Sequence, residues 1–258
     1  MAKISNSLRT DLDRLAQACR VLDLEGHGDR VVGHVAYRDP DKRGFWMKRA
    51  GISLGEVFDS RDFVLLTFDG IQIAGDGKSH GEWPIHSEIF KNKPEINASA
   101  HTHPFYASVF SASEEPLVTI VPRSTSQPVR PPRWEESADL IDTPEMATSM
   151  VKRMGAHHAI LLRNHGIVTC GPQIPDPVIV AIALEKMCRE VLTIKASGLT
   201  FTVPDEDSLH KKLKSGDALD PAIIGGQVIW RYYCRKLARA EGAGNPLFTK
   251  ERISPDAN

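Results

Sequence analysis

The stretch NASAHTHP, residues 97–104, is the part of the sequence that most constrains the fold. The apolar run from Ile96 predicts a buried strand that ends in two histidines, His101 and His103. Residues i and i+2 of a strand point to the same face, so both imidazoles can reach one divalent ion. Imidazole is a favoured ligand for zinc and related metals. Two histidines satisfied by ordinary hydrogen bonds remain the alternative.

A third histidine lies in Arg163-Asn164-His165-Gly166, between two apolar segments at 159–163 and 167–170. These segments predict two strands joined by a tight turn. A histidine in such a turn can project into a cleft, and the adjacent glycine permits close backbone approach. A turn histidine without a ligand role stays open here.

The segment GEWPIH, residues 81–86, places Glu82 just ahead of a predicted short helix that must end before Pro94. Pro84 suits the first turn of that helix. Glu82 is then either a residue that stabilises the helix dipole or a general acid/base. The spacing alone does not choose between these two roles.

The remaining segments alternate between strand and helix patterns, which predicts an α/β protein. Further strands are predicted at residues 31–37, 44–48, 63–68, 71–74 and 117–121. Helices are predicted over 7–24, from Thr143 to Gly155, from Asp176 onward, and over 222–240. Residues 122–136, rich in proline and arginine, predict a long exposed loop. We expect one domain over residues 1–242, followed by a flexible tail at 243–258.

The composition excludes several classes of protein. The chain has 258 residues, a formal net charge of −1 and 25% charged residues, which argues against partners selected by bulk charge, such as nucleic acid. No apolar run approaches the roughly 20 residues of a membrane span, and the first residues lack the apolar stretch of a signal peptide. Four cysteines lie far apart without a CxxC pair, a pattern that suits reduced thiols. We therefore expect a cytoplasmic protein with no nucleic-acid or membrane partner.

Together, GEWPIH, NASAHTHP and LLRNHGIVTCG (residues 161–171) resemble the class II aldolase and adducin-head family, which includes fuculose-phosphate aldolase. The resemblance extends from about residue 8 to residue 200. It implies a three-layer α/β/α fold around a central, mainly antiparallel sheet. It also implies a homo-oligomer, usually a tetramer, with its sites at the subunit interfaces.

The same resemblance assigns roles to particular residues. It implies one divalent metal ion per subunit, held by His101, His103 and His165. The metal is usually zinc, with manganese, cobalt or iron as alternatives. It implies Glu82 as the catalytic acid/base, with Glu88 as second choice.

The departures from the family pattern concern the substrate. Sugar-phosphate aldolases of the family carry a GN(V/I)S strand, a TG loop and two serines before the glutamate, which together hold a phosphate. In this chain residues 33–36 read GHVA, residues 50–51 read AG and residues 80–81 read HG. A phosphate needs several convergent donors, so we expect a divergent member that does not act on phosphorylated sugars.

Titratable or cationic side chains replace those donors and suit a carboxylate. Arg123 occupies the region where the family carries a tyrosine, while solvated surface charge is the alternative for Lys48 and Arg49. The candidate substrate-binding residues are His34, Lys48, Arg49, Gly51, His80, Gly81 and Arg123.

These residues predict a metal-dependent carbon–carbon lyase acting on a non-phosphorylated hydroxy- or oxo-carboxylate, aromatic examples included. Aldol cleavage and decarboxylation share an enolate that a Lewis acid stabilises, and Glu82 would need a raised pKa to donate its proton. Two alternatives remain: a non-haem iron oxygenase that uses the same three histidines, and a non-catalytic, adducin-like scaffold.

Overall fold

The computed structural model describes residues 5–121, 130–205 and 228–242, so Arg123, residues 222–227 and the tail at 243–258 lie outside the described residues. Eight strands are described: β1 (His34–Arg38), β2 (Phe45–Lys48), β3 (Phe63–Leu66), β4 (Gln72–Ala74), β5 (Ala98–Thr102), β6 (Arg133–Trp134), β7 (Ala159–Leu162) and β8 (Gly166–Gly171). They form one sheet in the order β4-β3-β2-β1-β5-β8-β7-β6. Neighbouring strands are antiparallel, except that β6 runs parallel to β7.

Helices cover both faces of this sheet. They are α1 (Asn6–Leu22), α2 (Trp83–Asn92), α3 (Phe105–Ser111), α4 (Pro144–Met154), α5 (Pro175–Ser197) and α6 (Trp230–Ala240). Apolar side chains of α1, α3, α5 and α6 share one core with one face of the sheet, and those of α2 and α4 share a second core with the other face. The predicted three-layer α/β/α fold with a mainly antiparallel sheet is therefore confirmed.

Alternation along the strands separates the two cores. Val35 packs into the core beside α1 and α5, whereas Ala36 packs into the core beside α2 and α4. Ala98 and Ala100 of β5 likewise belong to the first core. Because side chains alternate along a strand, Ser99 and His101 point to the α2 face.

Several ends of elements follow from local signals in the sequence. The Thr143 hydroxyl accepts a hydrogen bond from the Met146 N–H at 3.3 Å, which caps α4, and Gly155 follows the last residue of the helix at φ 56°. Gly70 has φ 82° in the predicted hairpin turn between β3 and β4. Within the described residues, no helix combines the length and apolar character that a membrane crossing requires.

Two predictions of secondary structure were wrong. Residues 117–121 form no strand, although Leu117 is buried, so their apolar pattern reflects packing rather than strand pairing. Residues 133–134 do not belong to an exposed loop, because β6 is buried and pairs with β7. Arg133 donates to the Glu115 carbonyl at 2.9 Å, a part-buried contact that composition cannot indicate.

Candidate active site

Strand pairing brings the three histidines together. His101 lies on β5, His103 follows the strand, and His165 lies in the turn between β7 and β8. Because β5 pairs with β8, with Thr102 opposite Ile167, this turn lies beside the end of β5. The ring centroids of His101, His103 and His165 are 4.6, 4.9 and 5.0 Å apart, and the Nε2 atoms of His101 and His103 approach to 3.0 Å.

Backbone contacts orient this cluster. The Nδ1 atom of His101 lies 2.9 Å from the Ile167 carbonyl oxygen. A carbonyl only accepts, so Nδ1 carries the proton and the Nε2 lone pair faces the cluster. Asn164 adopts φ 56° in the turn before His165, a left-handed conformation that asparagine tolerates.

Glu82 completes the cluster. It stands immediately before α2, and its side chain makes no capping hydrogen bond to the helix, so the carboxylate is directed to other contacts. Its Oε2 lies 3.3 Å from His101 Nε2, and its Oε1 lies 3.8 Å from His165 Nε2. The Ile141 N–H donates to Oε1 at 2.9 Å. Glu88, the second choice, instead accepts from the Thr148 hydroxyl on α4 at 3.1 Å.

This donor set fits a divalent metal ion. One atom from each of Glu82, His101, His103 and His165 lies within 4.8 Å of the others, and three imidazoles are a ligand set that zinc commonly takes. Burial, together with the neighbouring His101, lowers the pKa of His103 to about 3 and that of His165 to about 4. At neutral pH both rings are therefore in the unprotonated form that binds metal.

The pKa of Glu82 differs from the prediction. Burial raises this pKa, but His101 and His34 oppose it together and hold the pKa well below its ordinary value. The expectation of a raised pKa was therefore wrong, because histidines from two other segments of the chain surround the carboxylate. Glu82 is therefore ionised at neutral pH.

A second pair of histidines, His34 and His80, borders the cluster. His34 lies opposite His101 in the strand register, with ring centroids 5.1 Å apart, and His80 lies 4.8 Å from His34. The Nε2 atoms of both rings are buried and have no hydrogen-bond partner among the described residues. Burial, the largest cause, lowers the pKa of His80 to about 4 and that of His34 well below its ordinary value.

Gly51 and Gly81, two further candidate substrate-binding residues, lie on loops that are linked to each other. The Ala50 N–H donates to the Lys78 carbonyl at 2.7 Å, which ties the loop of Gly51 to the loop of His80 and Gly81. Their roles, like those of His34 and His80, stay predictions.

Lys48 and Arg49 make other contacts. Lys48 is buried, and its Nζ donates to the carbonyls of Val31 and Arg49, at 3.3 and 3.4 Å, and of Ile52. Lys48 is therefore not the solvated surface charge considered as its alternative, and its role as a substrate-binding residue stays a prediction. Arg49 pairs with Asp62 at 3.4 Å.

Two residues near the cluster received no role in the sequence analysis. His86 Nε2 lies 2.7 Å from His34 Nδ1, and His86 Nδ1 lies 2.6 Å from Ser99 Oγ. Spacing offered a signal for both, because Ser99 precedes His101 by two strand residues and His86 follows Glu82 by one helical turn.

The fold and this site agree with comparisons to known proteins. Residues 13–192 match the model of the Class II Aldolase and Adducin N-terminal domain, and the chain belongs to this family. The predicted membership is confirmed. The family's enzymes include carbon–carbon lyases that use a divalent metal, and this chain is similar to members with different activities.

Two of the following three similar proteins have names that state an activity. The 3,4-dihydroxyphthalate decarboxylase of Arthrobacter keyseri is 25% identical over 244 residues, which cover 88% of this chain and 94% of that protein. The Meiotically up-regulated gene 14 protein of Schizosaccharomyces pombe is 28% identical over 189 residues, covering 72% and 73%. The structure of L-fuculose 1-phosphate aldolase from Glaciozyma antarctica PI12 superimposes with a TM-score of 0.76 at 25% identity and covers 93% of both chains.

Proposed function

We propose that this protein is a metal-dependent carbon–carbon lyase that acts on a non-phosphorylated hydroxy- or oxo-carboxylate. The observation that carries the proposal is the convergence of three imidazoles on one ionised, buried carboxylate, Glu82. We propose zinc as the metal, because catalytic zinc sites commonly use three protein ligands, such as three histidines, and keep a fourth position open. Manganese, cobalt and iron are the other divalent ions to compare.

The residues around the cluster favour a carboxylate over a phosphate. His34 and His80 each have one buried nitrogen without a hydrogen-bond partner among the described residues, and both rings are neutral at pH 7 because burial lowers their pKa. A phosphate is held by several donors, which are often charged. Two neutral imidazoles supply fewer donors, which is enough for a carboxylate. Similarity to a 3,4-dihydroxyphthalate decarboxylase supports an aromatic dihydroxy-carboxylate that loses carbon dioxide.

The proposed reaction requires two proton transfers, both through Glu82. A divalent ion held by the three histidines would act as a Lewis acid for the negative charge that develops as the carbon–carbon bond breaks. Glu82 takes a proton from a substrate hydroxyl and returns it to the carbon that loses carbon dioxide. The Ile141 N–H holds Oε1, which fixes the orientation of the carboxylate during both steps.

Metal content is the first test. We expect about one zinc per chain in the purified protein, and none in a variant with His101, His103 and His165 all replaced by alanine. Circular dichroism would show that this variant still folds. A wild-type protein that neither contains nor takes up metal would contradict the proposal.

A second test replaces Glu82 by glutamine. Glu82→Gln keeps an oxygen for the Ile141 N–H but removes the proton acceptor, so we expect metal content to be unchanged. Carbon dioxide release from 3,4-dihydroxyphthalate under nitrogen should fall by a factor of about 100 or more.

Glu88→Gln is the matched control for this test, since it makes the same change in α2 away from the cluster. Normal turnover in Glu82→Gln would refute the assigned role. Turnover that requires dioxygen would favour the iron oxygenase. An enzyme that cleaves fuculose 1-phosphate and no carboxylate would refute the proposal of a carboxylate substrate.

We also propose a homotetramer with sites at the subunit interfaces. Phe105 and Val109 are 69% and 46% exposed on α3, which begins two residues after His103. A second copy of the chain would cover this apolar surface. Analytical ultracentrifugation tests the proposed tetramer. We expect the wild-type protein to be a tetramer and the Phe105→Asp variant to dissociate more readily. A wild-type protein that is monomeric at micromolar concentration would contradict the proposal.

The domain organisation and the location of the protein also remain proposals. We propose that residues 1–242 form one domain and that the protein is cytoplasmic. The four cysteines are free thiols, which suits a reducing compartment.

A further inference from the structure

A buried chain of hydrogen bonds leads from the middle of the sheet to the proposed site. Ser99 Oγ lies 2.6 Å from His86 Nδ1, and His86 Nε2 lies 2.7 Å from His34 Nδ1. His34 Nε2 then faces Glu82 Oε2 at 3.9 Å. Ser99 and His86 are fully buried, and His34 is 2% exposed, so these contacts determine which nitrogens carry protons.

The chain of neutral groups has two possible directions. In the first, the Ser99 hydroxyl donates to His86 Nδ1, His86 Nε2–H donates to His34 Nδ1, and His34 carries its proton on Nε2. In the second, every donor and acceptor is exchanged, and His34 Nε2 carries a lone pair. A neutral imidazole has one donor and one acceptor nitrogen, so the contact at one end of the chain fixes the tautomers of both rings.

Both ends of the chain select the first direction. At the site end, the Glu82 carboxylate only accepts hydrogen bonds, so it attracts an N–H on His34 Nε2 and repels a lone pair. At the sheet end, the Ser99 hydroxyl has no other partner among the described residues. The second direction would therefore leave a buried hydroxyl proton unsatisfied, which is unfavourable.

We propose that His86 and Ser99 are positioning residues that hold His34 in the Nε2–H tautomer, with this N–H directed at an oxygen of the bound substrate. The inference rests on the proposed function for the identity of that substrate, but the tautomer of His34 is a property of the protein alone. His34 Nε2 has no hydrogen-bond partner among the described residues, so the N–H is free to bind substrate. Neither His86 nor Ser99 touches the substrate in this arrangement.

Neutron diffraction of the zinc-loaded protein tests the tautomer directly. We expect deuterium on Nε2 of both His34 and His86, and none on Nδ1 of either ring. Deuterium on His34 Nδ1 would overturn the inference whether or not the protein proves to be a lyase. The expected tautomer without turnover of 3,4-dihydroxyphthalate would refute the proposed substrate and leave the positioning role standing.

A pair of variants separates positioning from the filling of space. In His86→Gln, the longer amide reaches the place of Nε2 and can donate to His34 Nδ1. In His86→Asn, the amide reaches only the place of Nδ1, beside Ser99. We expect the fraction of protein with the proton on His34 Nε2 to fall to about a tenth in His86→Asn. KM for 3,4-dihydroxyphthalate should then rise about tenfold, while kcat changes little.

We expect His86→Gln to keep a KM within about twofold of the wild-type value. An equal rise of KM in both variants would show that His86 only fills space and would overturn the inference. Ser99→Ala should also raise KM, whereas Thr169→Val, which removes another fully buried hydroxyl from the sheet, should not. Zinc content should be the same in all four variants.

Discussion

Gly166 is the residue that lets the turn of His165 approach the end of β5. A Cβ atom at this position would lie 2.5 Å from the Thr102 carbonyl oxygen and 2.7 Å from His103 Cδ2. Both distances are shorter than real Cβ contacts allow. Glycine is therefore required here by the close approach of the His165 turn to His103, a proposed metal ligand, and not by a left-handed backbone conformation.

We predict that Gly166→Ala weakens zinc binding by about 10- to 100-fold, the range seen when groups that orient metal ligands are changed. The added methyl group must displace His103 or separate β5 from β8. Competition with a zinc chelator measures the affinity.

The control for this substitution lies at the other end of β8. Gly171→Ala would place a Cβ 2.3 Å from the Asp176 Cβ, so it strains the same strand without touching the cluster. We expect it to lower the stability but to keep the zinc affinity. Equal zinc affinity in both variants would refute the role assigned to Gly166.

At the scale of elements, Lys48 links the end of β2 to two loops. Its ammonium donates to carbonyls of Val31, Arg49 and Ile52 and is fully buried. We predict that Lys48→Met, which keeps the length of the side chain, lowers the free energy of unfolding by about 1–3 kcal/mol, because buried carbonyls lose their donors.

Urea denaturation measures this change, and Lys78→Met, a change at an exposed lysine of the neighbouring loop, should have little effect. If Lys48→Met left the stability unchanged and instead raised KM, Lys48 would be a substrate ligand, as the sequence analysis proposed.

The elements also show how far the sequence alone determines the fold. Helix α1 and the hairpin at Gly70 were predictable, since their apolar periodicity and turn residues are local. β6 was not, because a strand of two residues has no measurable period and is defined only by its pairing with β7. Residues 117–121 have the opposite property: a strand-like pattern without a partner strand.

At the scale of the whole molecule, the site combines segments that are far apart in sequence. His34 comes from β1, Glu82 from the start of α2, His101 from β5 and His165 from the β7–β8 turn. The motifs predicted the residues that the structure brings together in the cluster, because each motif carries a local signal. The ionised state of Glu82 and the contact between His34 and His86 were not predictable, because they depend on strand order and on which face of the sheet α2 covers.

Buried histidines make the whole fold sensitive to acid. His27 is fully buried beside the Thr102 hydroxyl, at 3.0 Å. Burial, with a smaller contribution from Lys186, lowers its pKa to about 3. In the unfolded chain its pKa is the ordinary value near 6.5. Between these two values the unfolded state binds a proton that the folded state excludes, so this contribution to stability is complete above about pH 6.5 and is lost as the pH falls toward 3.

We therefore predict that the metal-free protein loses stability steadily below pH 6.5, and that His27→Asn makes the loss shallower by about 1.4 kcal/mol per pH unit near pH 5. Asparagine can keep the contact with Thr102 but does not titrate. Urea denaturation with a chelator at several pH values between 7.5 and 4.5 measures the slopes. His158→Asn, at an exposed histidine, should follow the wild-type slope. An unchanged slope in His27→Asn would mean that the folded protein protonates His27 without cost, which its complete burial argues against.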